Sequence, residues 1–178
     1  MDIATLVNLT SRAWSLSILA LLDAGTPGRQ APLLAATSAS RTSFRASLDH
    51  LIALRLLEKN PGHGHPLRPE FRLTLKGVEA AQMASKIIKA VPGESEFALL
   101  RKSWSVPVLA LTNSPQRFST MKTALTTITD RALSESLYRL EDHQLIQRDI
   151  NLSERTPYPT YCAINTGLAV NQAIGLRI

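Results

Sequence analysis

Arg41-Thr42-Ser43-Phe44-Arg45 sets two guanidinium groups and two hydroxyls within five residues. On a helix Arg41 and Arg45, four apart, share one face. Arginine pairs bidentately with a guanine edge or a phosphate, and hydroxyls reach either. A weaker counterpart lies further on, where Arg131 and Ser134 have Asp130 and Glu135 beside them. Carboxylates there repel phosphate, unless Asp130 serves to cap the helix or to orient Arg131. Arg68, Arg117, Lys122 and Arg155 are further cations suited to phosphate. Metal chemistry is poorly served. His63-x-His65 has no third ligand nearby and sits among Gly and Pro residues that position ligands badly, so no metal is expected. The single cysteine, Cys162, forms no internal disulfide, reads as a small apolar strand residue, and fits a reducing cytoplasm. There is no phosphate loop, nucleophile elbow, HExxH or acid pair, so neither catalysis nor a cofactor is expected.

The elements that must position these groups occur twice. Trp14-Ser15-Leu16-Ser17-Ile18-Leu19-Ala20-Leu21 recurs, 90 residues on, as Trp104-Ser105-Val106-Pro107-Val108-Leu109-Ala110-Leu111. Phe44, Leu48, Leu51, Leu56 and Leu57 correspond at an offset of 89 to Leu133, Leu137, Leu140, Leu145 and Ile146. Pro69, Phe71, Leu75 and Gly77 return to 90 with Pro159, Tyr161, Asn165 and Gly167. Solenoid repeats are shorter, roughly 20–50 residues, so this period implies a duplicated domain. Two copies fit comfortably in 178 residues.

Composition agrees with a globular chain, at 44% apolar and 19% charged residues. The net charge is +6, distributed unevenly. Residues 1–90 hold 11 Lys and Arg against 6 Asp and Glu, and residues 91–178 hold 9 against 8. A basic surface favours nucleic acid or an acidic partner. Arg12 followed by an apolar run imitates a signal peptide, but the cleavage pattern is missing and the segment recurs at Trp104. It is read as a core helix, with both tryptophans in the core. No stretch reaches the roughly 18 apolar residues of a membrane span.

Within the second copy, Trp104 to Leu111 suits a buried first helix, and Asn113-Ser114-Pro115 a turn. Phe118, Met121 and Leu125 mark one face of a second helix. Thr129 suits an N-cap for a third helix that faces inward through Leu133, Leu137 and Leu140. Strand, polar loop and strand follow from Leu145 to Ile164, then a short terminal helix. In the first copy Ser40 caps a helix with Phe44, Leu48, Leu51 and Ile52 inward. Its hairpin spans Leu57 to Thr74 around a loop, Asn60 to Pro66, too rich in Pro and Gly for regular structure. A helix from Lys76 to Lys89 supplies apolar surface through Val78, Ala81, Met83, Ile87 and Ile88, and Val91 to Ser95 is the linker. The expectation is mainly α with small β-hairpins (α+β), as two tandem winged helix-turn-helix domains related by an internal repeat. Their bounds are 1–91 and 96–178.

Trp104-Ser105-x-Pro107-x-Leu109, Arg117-Phe118-Ser119, Ile128-Thr129-Asp130-Arg131-Ala132-Leu133-Ser134, Leu137-x-x-Leu140 and Leu145-Ile146-x-Arg148 form a combined signature. Pro157, Tyr161 and Thr166-Gly167 complete it. With these, most of residues 101–170 resembles the HxlR-type winged-helix transcription regulators. The first copy resembles them less closely, through Arg12-Ala13-Trp14-Ser15 and from Leu51 onward. The resemblance implies DNA binding by regulators that usually carry one such domain and pair as homodimers. Some members sense through a cysteine just before the first-helix tryptophan. Arg12-Ala13 and Lys102-Ser103 stand there in this chain, which excludes that thiol switch.

In a winged helix the third helix enters the major groove by its N-terminal residues, and the wing reaches backbone or minor groove. The DNA-binding set is then Arg41, Thr42, Ser43 and Arg45 in the first copy and Arg131 and Ser134 in the second. Arg68 and Arg155 lie at the wing tips, and Arg117 and Lys122 on the second helix. The partner expected is double-stranded DNA, read by a cytoplasmic transcription regulator whose two copies act as a single-chain pseudo-dimer. A second copy or another protein is a further partner, met through the terminal and linker helices. The alternative is a tandem winged-helix adaptor that binds proteins without sequence-specific DNA binding. Charge favours the first copy for DNA, whereas the second has the closer family resemblance.

Overall fold

The computed structural model describes residues 1–65, 68–91 and 93–176, and for 61–65 and 68 the backbone only. The chain opens with α1 (Ile3–Thr10), capped by Asp2, whose carboxylate accepts from the Thr5 N–H at 2.7 Å. Arg12–Lys89 then forms one compact unit. It runs through α2 (Ser15–Asp23), α3 (Gln30–Thr37), α4 (Arg41–Ala53), β1 (Leu57–His65), β2 (Arg68–Leu73) and α5 (Leu75–Lys89). The other unit joins Met1–Ser11 to Ala90–Ile178. With α1 it holds α6 (Glu94–Leu100), α7 (Ser105–Leu111), β3 (Gln116–Arg117), α8 (Phe118–Leu125) and α9 (Asp130–Asp142). β4 (Ile146–Asn151), β5 (Tyr158–Ala163) and α10 (Asn165–Ile174) complete it.

These units divide the chain differently from the expected 1–91 and 96–178. The first eleven residues pack with the later unit because α1 has an apolar face to bury there. Leu6 and Leu9 are fully buried, and α1 lies against α7 and α8. The Thr10 hydroxyl is shared between the carbonyls of Leu6, at 2.9 Å, and Ser103, at 3.0 Å. The expected linker is also shorter than its composition suggests. α6 starts at Glu94, and Glu94 and Glu96 in its first turn suit the positive end of the helix dipole.

In the unit Arg12–Lys89, α4 buries Phe44, Leu48 and Leu51 at i, i+4 and i+7, while Ile52 is only half-buried. α5 lies along α2 and buries Ala80, Ala81, Met83, Ala84 and Ile87, whereas Val78 points outward at 39% exposure. The Ser85 hydroxyl donates to Asp23 at 2.6 Å and holds the two helices in register. β1 continues to His65, where an irregular loop was expected from Asn60. The hairpin absorbs the Pro and Gly residues in a bulge, with four residues between Lys59 and Gly64 set against one between Phe71 and Pro69. Trp14 is half-buried and not a core residue, as is Trp104 in the other unit.

In the other unit α9 buries Leu133, Leu137 and Leu140, and α8 buries Met121 and Leu125. α7 is buried along its whole length, with Pro107 third in the helix, where its missing N–H costs nothing. Asn171 of α10 donates to the Leu109 carbonyl at 2.7 Å, near the end of α7, where that carbonyl also accepts from the Thr112 N–H at 3.2 Å. The sheet has strand order β3-β5-β4, so the expected hairpin gains a third strand of two residues. In the unit Arg12–Lys89 a single antiparallel bridge, Arg29 to Glu70, lies at the comparable place.

The ends of α4 and α9 are set by local chemistry. Ser40 accepts from the Ser43 N–H and Thr129 from the Ala132 N–H, each at 3.2 Å. Replacing Ser40 or Thr129 by alanine is expected to cost about 1 kcal/mol in chemical denaturation, the usual worth of an N-cap. Both helices stop at a residue in the left-handed region, Arg55 at φ 56° and Gln144 at φ 55°. The next N–H then turns back into the helix, from Leu56 to the Leu51 carbonyl at 3.0 Å and from Leu145 to Leu140 at 2.8 Å. This is the six-to-one closure of a Schellman motif.

Candidate nucleic-acid interface

The caps fix where each third helix begins and so which side chains its first turn presents. On α4, Arg41, Thr42, Ser43 and Arg45 are all exposed, opposite the buried Phe44 and Leu48. Ser43 has a second task, because its hydroxyl accepts from Ser40 at 3.1 Å. Arg45 lies 3.6 Å from Asp49, one turn on, and both remain largely exposed. An exposed pair of this kind is worth about 0–1 kcal/mol and yields readily to a phosphate or a base. Arg41 forms no ion pair among the described residues and lines an open cleft with Arg29 at the start of α3.

The first turn of α9 is more crowded with charge. Arg131 and Ser134 are exposed as expected, beside Asp130 and Glu135. Thr129 does the capping, while Asp130 pairs with Lys122 of α8 and does not orient Arg131. Glu135 pairs with Arg139 one turn on. Arg117 pairs with Glu154 at the tip of the β4–β5 hairpin, and its guanidinium stacks 3.5 Å from the centre of the Tyr158 ring. The Glu154 carboxylate, and after it the Tyr158 hydroxyl, push the Arg117 pKa above the ordinary arginine value. Arg155 is exposed next to Glu154. The Arg68 side chain, like those of His63 and His65, lies outside the described residues.

Two side chains escaped the sequence reading. Arg29 precedes α3 in a segment with no periodicity. Its signal was Gly28, where a Cβ would overlap the Phe71 carbonyl, so this segment is pinned against β2. Tyr138, on the outer face of α9, is 68% exposed, a large aromatic ring on an otherwise charged surface. Among the described residues no group of three His, Cys, Asp or Glu is placed to hold a metal ion. No single described helix is long and apolar enough to cross a membrane.

Three capped or turn-bounded helices followed by an antiparallel hairpin, with the third helix exposing its first turn, is the geometry of a winged helix-turn-helix. Residues 99–176 match the HxlR-like helix-turn-helix family. The match runs from the end of α6 through α10. Among solved structures, the chain is similar to the reduced form of the transcriptional regulator YodB from B. subtilis, at 26% sequence identity. That similarity covers 46% of this chain and 80% of the other, with a TM-score of 0.42. A comparison with curated proteins finds no match. The match over residues 99–176 supports a DNA-binding transcription regulator.

Proposed function

We propose that the chain regulates transcription by reading DNA with two winged-helix units, so that one chain does what a homodimer does in single-domain regulators. The observation that carries this reading is the identical construction around α4 and α9. Each helix has a hydroxyl N-cap, thirteen residues, a left-handed end and a six-to-one closure. In each, the carbonyl after that closure accepts from the start of the following helix segment, Leu56 from Thr74 at 3.0 Å and Leu145 from Ile164 at 2.9 Å. The bounds proposed for the two domains follow the compact units, with the DNA-binding residues Arg41, Thr42, Ser43 and Arg45 on α4 and Arg131 and Ser134 on α9. Arg155 and Arg68 are the proposed supporting cations, whereas Arg117 and Lys122 are held by Glu154 and Asp130. The family match favours this reading over a protein-binding adaptor.

Arg45 gives the finer test. It sits one turn into α4 on the exposed face, where a major-groove helix meets base edges. Arg45→Ala is expected to weaken binding to the preferred duplex by about 1–3 kcal/mol and to relax discrimination at one position. Titration against a panel of single-base variants measures both. An equal loss on all sequences would reassign Arg45 to the backbone.

A further inference from the structure

We infer that the chain grips the DNA backbone chiefly through Arg29 and Arg41, in the cleft of the unit Arg12–Lys89, and that Glu154 fills the corresponding place in the other unit as an internal stand-in for phosphate. This rests on the DNA-binding reading above and adds which unit holds the backbone and with which residues.

The two places correspond by backbone pairing. Arg29 bridges to Glu70, and Arg117 pairs with Thr160. Glu70 and Thr160 are 90 residues apart, the offset at which Pro69 and Phe71 match Pro159 and Tyr161. Arg29 and Arg117 each stand immediately before the helix that follows the Trp-Ser helix of their unit, α3 after α2 and α8 after α7. Their surroundings differ. Arg29 and Arg41 are exposed and line one open cleft of about 630 Å3 with Gln30, Pro32 and Pro69. Neither arginine forms an ion pair among the described residues. The nearest carboxylate in the backbone pairing is Glu70, whose Oε2 accepts from Asn60 at 3.4 Å. Two guanidiniums on a concave wall focus positive potential, and each offers a fork that fits two phosphate oxygens.

In the other unit the comparable cation is already occupied. Arg117 has a carboxylate, Glu154, on its fork and the Tyr158 ring against its face. Lys122 and Arg139 are matched in the same way by Asp130 and Glu135, which leaves Arg131 and Arg155 of the cations placed at the interface. Such exposed pairs add little to folding. Their effect on a polyanion is larger, since each carboxylate within a Debye length of the phosphates subtracts from the attraction. Charge bookkeeping by unit agrees. Arg12–Lys89 holds 11 Lys and Arg against 5 Asp and Glu, a balance of +6. Met1–Ser11 with Ala90–Ile178 holds 9 against 9, a balance of zero. The whole net charge of the chain resides in one unit.

The test uses the full chain and a mixed-sequence duplex, with affinity measured over a salt series. Arg29→Ala and Arg41→Ala are each expected to weaken binding about tenfold on every sequence and to lower the salt slope by about 1, as loss of one phosphate contact does. Arg41→Lys keeps the charge and so the slope. Arg117→Ala is expected to change affinity less than about twofold, because its guanidinium is already engaged. Glu154→Gln is expected to tighten binding several-fold and to steepen the slope by about 1. That gain vanishes in the Glu154→Gln, Arg117→Ala double variant. All these side chains lie at the surface, and thermal melts confirm that each variant is folded. If the wild-type chain binds with a clear salt dependence but Arg117→Ala weakens it as much as Arg41→Ala, the assignment is overturned and the DNA-binding reading stands. An unchanged slope in Glu154→Gln overturns it equally. If the wild-type chain binds no duplex at low salt, both fall together.

Discussion

Raising the salt from about 50 to 200 mM is expected to weaken binding to mixed-sequence duplex by about 150-fold, on the basis of about four phosphate contacts. The number of contacts comes from the cations that remain available. Arg29 and Arg41 share an open cleft, and Arg131 and Arg155 have no ion pair among the described residues, which makes four with Arg45 kept for base edges. Lys122, Arg117 and Arg139 are discounted because each faces a carboxylate. Each phosphate neutralised releases condensed counterions, so about four contacts give a log–log slope near −3.6. A chain whose cations were all available would respond far more steeply, and an adaptor that meets DNA only by chance would show a slope near zero. Fluorescence anisotropy at four or five salt concentrations separates the three cases.

Gly77→Ala and Gly167→Ala are each expected to destabilise the unit that contains them by about 3 kcal/mol, near the upper end for forced overpacking. Both glycines sit in the first turn of the helix that follows the hairpin. A Cβ on Gly77 would overlap the Leu56 carbonyl oxygen, and one on Gly167 the Leu145 carbonyl oxygen. Those carbonyls are not free to move. Each already accepts from a backbone N–H and each follows a residue in the left-handed region. The obstruction is backbone against backbone, so no side chain can rotate away to relieve it. Neither glycine has a positive φ, and what matters is the missing Cβ. Gly25 provides the control, since it has φ +84° with nothing within 4 Å of a Cβ. Gly25→Ala is expected to cost only about 1 kcal/mol, from the backbone conformation alone. Urea unfolding of the three variants measures the contrast. Equal losses in all three would remove the tight helix–carbonyl contact from the account.

What could be read from the chain beforehand was whatever a local rule controls. The inward faces of α4 and α9 follow from large apolar residues at i, i+4 and i+7, and their starts from Ser40 and Thr129, whose side chains cap as such residues do. The exposed set Arg41, Thr42, Ser43, Arg45, Arg131 and Ser134 follows directly, because a buried face leaves the opposite one to solvent. Less local features escaped. A strand of two residues, Gln116–Arg117, has no periodicity to detect and exists only because β5 lies beside it. The continuation of β1 to His65 depends on a bulge that pairing with β2 tolerates. The placement of α1 was hidden because Leu6 and Leu9 mark an apolar face without saying which unit will cover it. Charge cancellation was hidden for a related reason. Lys122 and Asp130, or Arg117 and Glu154, are ordinary surface residues until the fold brings them together.

That cancellation sharpens the difference between the units. Their third helices bury apolar residues at the same spacing, Phe44, Leu48 and Leu51 against Leu133, Leu137 and Leu140, while the first turns of α4 and α9 present different chemistry. Arg41-Thr42-Ser43 offers a cation and two hydroxyls. Asp130-Arg131-Ala132 offers a cation next to a carboxylate that Lys122 holds. With both units reading DNA as proposed, their unlike chemistry selects a site made of two unlike halves. The most direct measurement is selection of bound duplexes from a random pool by the full chain, followed by sequencing. The account predicts two different half-sites about one helical turn, roughly 34 Å, apart, bound by a single chain. A perfect palindrome occupied by two chains would contradict it, because one unit alone would then do the reading.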